Sequence, residues 1–318
     1  MGIMHSEYRD RINHWIRTLK EDFYTPAGTL DWEVFKTMEQ LSFEEAGKRT
    51  YERVEPGYTW GDTYEYAWFR TKLTLPEETA GKRIVLNLCP GGESTVFVNG
   101  SAFGTYRADW VKQPHHFLVD NTLTREAKPG DVFEICMETY AGHFYAEAQD
   151  SGCSTGPVLP GLYRDELAEG ARRTLGEGTY GIWDEDAYQL FMDVETLSSL
   201  LKTLDEDSLR AARVAEALEQ FTLLVDFEQE KAARSRDYRK ARAMLEPVLS
   251  AVNGSTMPVF SAIGNAHLDL AWLWPMAETY RKTARTFAAQ LRLMEEYKDY
   301  KFIQSQPACY EMCRKYYP

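Results

Sequence analysis

Residues 264–275 read Gly-Asn-Ala-His-Leu-Asp-Leu-Ala-Trp-Leu-Trp-Pro, and this stretch decides the fold of the C-terminal part of the chain. A short apolar run, residues 258–263, precedes it and is typical of a buried parallel strand. Residues 278–297 follow it with the spacing of an amphipathic helix, and residues 301–306 predict a second strand. One face of that helix carries the apolar side chains of Ala284, Phe287, Leu291 and Met294. The order strand, loop, helix, strand predicts the beginning of a βαβ unit.

The quoted stretch contains a candidate metal-binding pair, His267 and Asp269, just past the end of the first predicted strand. Sites of α/β folds form at that edge. Residues two apart in extended backbone point the same way, so imidazole and carboxylate are expected to converge. Such a nitrogen and oxygen pair suits Zn²⁺ or a similar divalent ion, although Zn²⁺ normally has at least three protein ligands. His-x-Asp spacing also occurs in structural hydrogen bonds, so the spacing alone leaves both interpretations open.

Upstream, residues 57–194 predict an antiparallel β-sandwich. Several short runs alternate between apolar and polar residues, and turn residues separate them. Asn99-Gly100 predicts a hairpin turn, because both residues tolerate positive φ. Residues 149–181, rich in Gly, Ser, Thr and Pro, predict a long excursion, and residues 183–194 predict a last strand. The alternating runs are Tyr66–Leu75, Arg83–Leu88, Ser94–Val98 and Val132–Met137.

Helical patterns lie on both sides of the sandwich. Residues 7–42 show apolar side chains at helical spacing, with Trp32, Phe35 and Met38 as the later members. Residues 195–252 predict further helices, one of them with Ser208 as its N-cap. The predicted fold class is therefore multidomain α and β: N-terminal helices, an antiparallel jelly-roll-like β-sandwich, a helical linker and the βαβα start of an α/β barrel. The predicted domains are residues 1–56, 57–194, 195–254 and 255–318.

Composition excludes several classes of partner. The net charge of −13 repels phosphate backbones, so no nucleic acid partner is expected. The longest apolar runs fall short of the 18 or so residues of a membrane span, and the first ten residues lack the apolar core of a signal peptide. The five cysteines show no metal-binding spacing, so free thiols in a reducing cytoplasm are expected. These are Cys89, Cys136, Cys153, Cys309 and Cys313.

The chain resembles a known family through several strings in its last sixty residues. They are the stretch 264–275 itself, Glu278-Thr279, the run 281–287 (Arg-Lys-Thr-Ala-Arg-Thr-Phe), and Gln304-Ser-Gln-Pro307 with Tyr310. This set closely resembles glycoside hydrolase family 38, the retaining α-mannosidases, and in particular their cytosolic and bacterial branch. Upstream, Trp68-Phe-Arg70 and Val98-Asn-Gly100 resemble, less specifically, the sandwich that precedes the catalytic barrel in that branch.

The resemblance implies a metal-dependent α-mannosidase that hydrolyses terminal α-mannosides of glycans and oligosaccharides. His267 and Asp269 match two metal ligands of the family, and Trp272 matches an aromatic that lines the −1 sugar site. The implied cofactor is one divalent ion, Zn²⁺ or else Co²⁺ or a similar ion. Asn265 departs from the His that many relatives carry, and little effect on the metal is expected from that change.

The catalytic residues of the family match no position of this chain. A retaining glycosidase needs two carboxylates about 5 to 5.5 Å apart, one as nucleophile and one as acid and then base. The resemblance places both of them, and a further His ligand, downstream of this sequence. The chain by itself is therefore expected to be inactive, with no catalytic residue of its own.

Two alternative functions stay open at this stage. The sandwich alone can serve as a non-catalytic carbohydrate-binding module, with Tyr106, Trp110, His115 and His116 as a sugar-binding surface. A different barrel metallohydrolase, such as a polysaccharide deacetylase, also uses His-x-Asp, but the Trp-Leu-Trp-Pro and Gln-Ser-Gln-Pro strings argue against it. Because one βαβ unit leaves apolar strand edges exposed, residues 255–318 are expected to be partly disordered, to dock on the sandwich, or to exchange with a second copy. We therefore expect self-association into a homo-oligomer.

Overall fold

The computed structural model of the chain describes residues 4–62, 64–106, 121–142, 173–226, 228–270 and 274–318. They form two compact units. A helical unit combines Met1–Thr25 with Trp183–Phe260, and a sandwich unit combines Pro26–Ile182 with Ser261–Pro318. The candidate metal-binding pair therefore belongs to the same unit as the β-sandwich.

The described strands form a six-stranded sheet, a four-stranded sheet and a two-stranded sheet. In chain order they are β1 (Tyr24–Thr29), β2 (Trp32–Thr37), β3 (Glu52–Val54), β4 (Thr59–Trp60), β5 (Tyr66–Thr74), β6 (Ile84–Asn87), β7 (Glu93–Val98), β8 (Ser101–Tyr106), β9 (Thr122–Thr124), β10 (Val132–Tyr140), β11 (Arg173–Thr174) and β12 (Thr179–Trp183). The sheet orders are β3-β2-β5-β10-β7-β8, β1-β12-β6-β9 and β11-β4. The strands predicted at 66–75, 83–88, 94–98 and 132–137 are confirmed, as is the antiparallel jelly-roll type of fold.

The two faces of the six-stranded sheet differ because side chains alternate along each strand. Phe69, Met137 and Val96 are register partners that face the other sheet and build the apolar core with it. Trp68, next to Phe69, points to the opposite face, where its register partner on β10 is Glu138. We call these the inner and the outer face of the sheet.

The hairpin predicted at Asn99-Gly100 is confirmed. Asn99 has a φ of 51° and Gly100 a φ of 82°, and the flanking residues Val98 and Ser101 pair as the last rung between β7 and β8. Positive φ at both central residues is the conformation that lets a two-residue turn match the twist of its strands.

The described helices are α1 (Ser6–Asp22), α2 (Phe43–Gly47), α3 (Glu185–Leu201), α4 (Leu209–Leu224), α5 (Lys231–Leu249), α6 (Met276–Glu296) and α7 (Pro307–Tyr316). In the helical unit, Arg234 of α5 forms two hydrogen bonds of 2.8 Å to the buried carboxylate of Asp22 at the end of α1. Ser208 caps α4 by accepting from the amide of Ala211, as predicted. Among the described residues, no helix is both long and apolar enough to cross a membrane.

The helical prediction for residues 24–42 was wrong. The helix ends at Asp22, and residues 24–29 and 32–37 are strands. Proline at 26 and glycine at 28 disfavour a helix there. Trp32 and Val34 are buried in the core while Phe35 faces outward, which is the period of a strand rather than of a helix.

The strand predicted at residues 183–194 was also wrong. The strand ends at Trp183, and Asp184 starts α3 by accepting a hydrogen bond from the amide of Ala187. The buried side chains that follow recur at helical spacing, and Asp184 with its acidic neighbours is a typical helix start. They are Ala187, Leu190, Phe191, Val194 and Leu197. The domain boundaries predicted near 56, 194 and 254 stay predictions.

The predicted buried strand at residues 258–263 is not formed. Val259 and Phe260 are about nine-tenths exposed, and the only parallel pairing in this part of the described chain is a single bridge between Gly264 and Phe302. A parallel strand is stabilised by neighbours on both sides, and none of the described strands pairs with residues 258–263. The helix α6, in contrast, forms where predicted and docks on the sandwich, which is one of the three outcomes expected for this segment.

Candidate metal-binding loop

The loop that carries the candidate pair begins at Gly264. Its amide donates to the carbonyl of Lys301 at 2.8 Å, and its carbonyl accepts from the amide of Ile303 at 2.9 Å. The Tyr300 hydroxyl lies so close to Gly264 that a Cβ there would be 2.2 Å from it. A side chain at position 264 would therefore require the Tyr300 ring to move.

Two glutamine side chains hold the next part of the loop. Gln304 donates from Nε2 to the carbonyl of Ala266, and Gln306 donates from Nε2 to the carbonyl of Leu268, each at 2.7 Å. Gln306 Oε1 also accepts from the amide of Leu268 at 3.2 Å. Asn265 adds a hydrogen bond of 2.8 Å from its side chain to the carbonyl of Ile303. The backbone is thus fixed on both sides of His267.

The side chains of His267 and Asp269 converge. His267 Nε2 lies 3.1 Å from Asp269 Oδ1, and the two side chains are 78% and 48% exposed. Ala266 and Leu268 point the other way and line a cavity of about 250 Å³ beside α6. This alternation is what extended backbone produces.

A divalent ion fits this pair of atoms. Bonds of about 2.0 to 2.2 Å separate neighbouring ligand atoms by about 2.8 to 3.1 Å in octahedral geometry and by about 3.3 to 3.6 Å in tetrahedral geometry. The 3.1 Å between Nε2 and Oδ1, which is also a hydrogen-bond distance, lies at the octahedral end of this range. Imidazole nitrogen and carboxylate oxygen are ligands of Zn²⁺ and related ions. Within the described part of the chain, no group of three or more His, Cys, Asp and Glu side chains is placed to hold a metal. The pair therefore offers two ligands of an ion, and their assignment as ligands stays a prediction.

Other residues of the predicted site are placed differently or fall outside the described residues. Trp272 lies in the undescribed segment 271–273, and Trp110, His115 and His116 lie in 107–120. Tyr106 was expected on a sugar-binding surface, but it is 7% exposed and packs in the sandwich core, with its hydroxyl directed at Cys89 Sγ. Its position at the end of β8 on the inner face removes it from that surface, so this part of the alternative was wrong.

Helix α6, which follows the loop, is docked on the outer face of the six-stranded sheet by charged residues. Arg281 Nε donates to Glu138 at 2.5 Å, and its guanidinium stacks 3.7 Å from the ring centre of Tyr66. Arg285 is paired with Glu278, which also accepts from the Tyr66 hydroxyl at 2.9 Å. We call this set the α6 ion cluster: three carboxylates and three cations, namely Glu93, Glu138, Glu278, Arg281, Lys282 and Arg285.

Burial governs the electrostatics of the α6 ion cluster. Glu278 and Arg281 have no exposed surface. Burial raises the pKa of the Glu278 carboxyl, and the charges of Arg285 and Lys282 oppose that shift. Burial alone would lower the pKa of Arg285, but the Glu278 and Glu93 carboxylates outweigh it and raise that pKa above its ordinary value.

Neither the glutamine contacts nor the α6 ion cluster was recognised from the sequence. A signal was present for the first: Gln304 and Gln306 are two apart, like the residues that they hold. The cluster residues of α6 recur at positions 278, 281, 282 and 285, which is one helix face, but their partners on the sheet are more than 100 residues away.

Two family models match the chain. The jelly-roll domain of α-mannosidases matches residues 28–155, and the N-terminal domain of glycosyl hydrolases family 38 matches residues 257–318. The loop and α6 lie in the second match, and most described strands lie in the first.

Curated relatives are α-mannosidases. Alpha-mannosidase 2C1 of Mus musculus is 25% identical over 287 residues, which are 89% of this chain and 25% of that protein. An alpha-mannosidase of Saccharomyces cerevisiae is 30% identical over 132 residues, which are 39% of this chain and 12% of that protein. The chain thus spans about a quarter of the length of the first of these relatives.

Solved structures add only a weak likeness. The β-glucuronidase from Ruminococcus gnavus aligns with a TM-score of 0.35 and 18% identity over 51% of this chain and 29% of that one. A likeness of this size supports no conclusion about function. The matches to the two family models, in their order along the chain, agree with the relatives that align with most of it: the chain belongs to the glycoside hydrolase family 38 α-mannosidases and matches their N-terminal region, the jelly roll followed by the family 38 N-terminal domain.

Proposed function

We propose that this chain supplies part of the metal site of a retaining α-mannosidase, with His267 and Asp269 as two of the ligands. The observation that supports the proposal most directly is the convergence of His267 Nε2 and Asp269 Oδ1 at 3.1 Å within the segment that matches the family 38 N-terminal domain. The proposed ion is Zn²⁺, with Co²⁺ or a similar divalent ion as a substitute. The proposed substrates of the whole enzyme are α-mannosides of glycans.

The chain's own residues have two roles in this proposal. The imidazole of His267 and the carboxylate of Asp269 bind the ion, and the backbone around them sets where it lies. A bound divalent ion in such an enzyme supplies charge stabilisation and a fixed point for sugar hydroxyls. Trp272, three residues past Asp269, is proposed to border the −1 sugar.

Hydrolysis itself is proposed to need groups outside this sequence. A retaining mechanism uses a nucleophilic carboxylate and a second carboxyl that first donates and then accepts a proton. No residue of this chain is assigned either role, so the isolated chain is expected to show no turnover of an aryl α-mannoside. A cytoplasmic location and self-association of the chain stay predictions.

The proposal is tested by titrating the isolated chain with Zn²⁺ and, for its visible absorption, with Co²⁺. One ion is expected to bind to the wild-type chain, and His267→Ala and Asp269→Asn are each expected to abolish that binding. His5→Ala is a matched control, because His5 and Glu7 are another histidine and carboxylate two residues apart, with His5 Nδ1 4.0 Å from Glu7 Oε2. Binding that survives His267→Ala, or that disappears in His5→Ala, would contradict the assignment.

A further inference from the structure

We propose that Gln304 and Gln306 are positioning residues for the metal pair, an inference that rests on the proposed function of His267 and Asp269. Their amides fix the peptide groups on both sides of His267 and so keep the imidazole and the Asp269 carboxylate directed at one point. We call the two glutamines and their bonds to the loop the glutamine clamp.

The clamp replaces a strand ladder. Among the described residues, no backbone–backbone hydrogen bond holds residues 265–270 after the bridge at Gly264. In their place, side chains two apart, at 304 and 306, reach carbonyls two apart, at 266 and 268. Gln306 bonds both the N–H and the C=O of Leu268, as a neighbouring strand would.

The glutamine amides are themselves oriented by other groups. The side-chain oxygen Oε1 of Gln304 accepts from the backbone N–H of Gln306 at 3.1 Å. This leaves Nε2 of Gln304 to donate to the carbonyl of Ala266. The backbone N–H of Gln304 donates to the Tyr310 hydroxyl at 3.1 Å, and the Gln304 side chain is buried. Each amide oxygen thus faces an N–H and each amide nitrogen faces a C=O, so a flipped amide would lose its bonds.

Position is what a two-ligand pair needs most. Ligand groups must be held within about 0.5 Å of their working geometry, and groups that orient ligands typically contribute about 10- to 100-fold to metal affinity. A peptide that turns at Ala266 or Leu268 would swing His267 away from Asp269. The clamp opposes that rotation without touching the ion.

The test uses Gln304→Met and Gln306→Met, which keep the length of the side chain and remove its amide. Gln306 is only partly buried, so its variant has the smaller demand on folding. The matched control is Gln189→Met on α3, where the side-chain amide donates to Glu185 of the same helix at 2.8 Å. Near-UV circular dichroism checks that each variant keeps its tertiary structure.

Two readouts decide the outcome. Hydrogen exchange of the Leu268 amide is expected to become at least about 10-fold faster in Gln306→Met, while the Gly264 amide, bonded to Lys301, keeps its wild-type rate. Affinity for Zn²⁺ or Co²⁺ is expected to fall about 10-fold in each clamp variant and to stay unchanged in Gln189→Met.

Wild-type affinity in both clamp variants, while His267→Ala abolishes binding, would overturn the clamp and leave the metal site standing. Faster Leu268 exchange with unchanged affinity would also overturn it, because the bonds would then be merely structural. If the wild-type chain binds no ion at all, the proposed metal site and the clamp's role both fail.

Discussion

The two faces of the six-stranded sheet hold their neighbours by different means. The inner face contacts the four-stranded sheet through apolar side chains such as Phe69, Val96 and Met137, which are all fully buried. The outer face contacts α6 through the α6 ion cluster. The same three strands, β5, β7 and β10, contribute to both, because alternate side chains point to opposite faces.

The difference concerns what each contact requires of its partner. Apolar burial is non-directional, so the inner face requires volume and shape. A buried ion pair requires a particular partner, and removing one member leaves an uncompensated charge. Among the described residues, Arg281 Nη2 and Arg285 Nη1 have no hydrogen-bond partner, so the cluster is not fully satisfied. We infer that it determines where α6 docks more than it adds to stability.

The largest expected effect comes from breaking one pair of the cluster. Arg281→Met leaves the fully buried Glu138 carboxylate without its cation, and the free energy of opening of α6 is expected to fall by about 3 to 5 kcal/mol. Amide hydrogen exchange over residues 276–296 measures this.

A matched double variant distinguishes the loss of the ion pair from the burial of a single unpaired charge. Arg281→Met with Glu138→Gln removes both charges and keeps an acceptor for the Tyr317 hydroxyl, which lies 2.8 Å from Glu138. It is expected to recover most of the loss. A double variant as unstable as the single one would show that Arg281 acts through packing and not through charge.

A charge-conserving change tests geometry. Arg281→Lys keeps the cation but loses the planar group that bonds Glu138 and stacks on Tyr66. A loss of about 1.5 to 3 kcal/mol is expected in the same exchange measurement, since a hydrogen bond to a charged group is removed. The exposed pair of Arg314 and Glu311 provides the control, and Arg314→Lys is expected to change nothing measurable. Equal, small effects at both sites would contradict a directional contact at Arg281.

The inner face could be predicted from the sequence, and the outer face could not. Alternation in the runs Tyr66–Leu75 and Val132–Met137 predicted both strands, and Asn99-Gly100 predicted the turn between β7 and β8. These are local signals. The three apolar residues at 32, 35 and 38 were also a local signal, but their spacing is that of a helix face, and the pairing of residues 33–37 with β5 decided for the strand.

The docking of α6 depends on residues far apart in sequence. Its apolar members Leu291 and Met294 are exposed, whereas Glu278, Arg281 and Arg285 are buried. Ala284, of the predicted apolar face, is buried as well. A rule that places only apolar residues inside therefore misses the charged part of the docked face, because it cannot recognise Glu138 on β10 or Tyr66 on β5 as partners. For the candidate site, the i, i+2 spacing of His267 and Asp269 predicted their convergence. Predicting that Gln304 and Gln306 fix the loop would have required knowledge of which residues pair with the loop.

Alkaline pH tests the outer face through its tyrosines. Burial, and next the Glu278 charge, raise the pKa values of Tyr66 and Tyr140 above their ordinary value. A raised folded pKa contributes stability that is complete below the unfolded value of about 10 and is lost as the pH rises beyond it. We expect a loss of about 1 kcal/mol for each of these tyrosines between pH 10 and 11, with the slope approaching about 1.4 kcal/mol per pH unit at higher pH.

Tyr140→Phe removes the contribution of Tyr140 to this loss of stability at alkaline pH. Among the described residues, the Tyr140 hydroxyl has no hydrogen-bond partner, so its removal is expected to be neutral or slightly stabilising at pH 7. Urea unfolding at pH 8 and pH 11 should then show a smaller difference than in the wild type. Tyr297→Phe, at an exposed tyrosine, should keep the wild-type difference. An unchanged difference in Tyr140→Phe would show that its phenol does not couple to folding.

The smallest effect is expected on the inner face. Leu86 of β6 is fully buried in the apolar core, and Leu86→Met conserves its volume and apolar character, so we expect a loss below about 1.5 kcal/mol in urea unfolding. Leu86→Ala, which leaves a cavity, serves as the control and should cost about 2 to 5 kcal/mol. Added salt should leave both values unchanged, because no charge is involved. If Leu86→Met destabilised the sandwich as much as Arg281→Lys destabilises α6, the inner face would depend on individual contacts as strictly as the ion cluster does, and the contrast between the two faces would not hold.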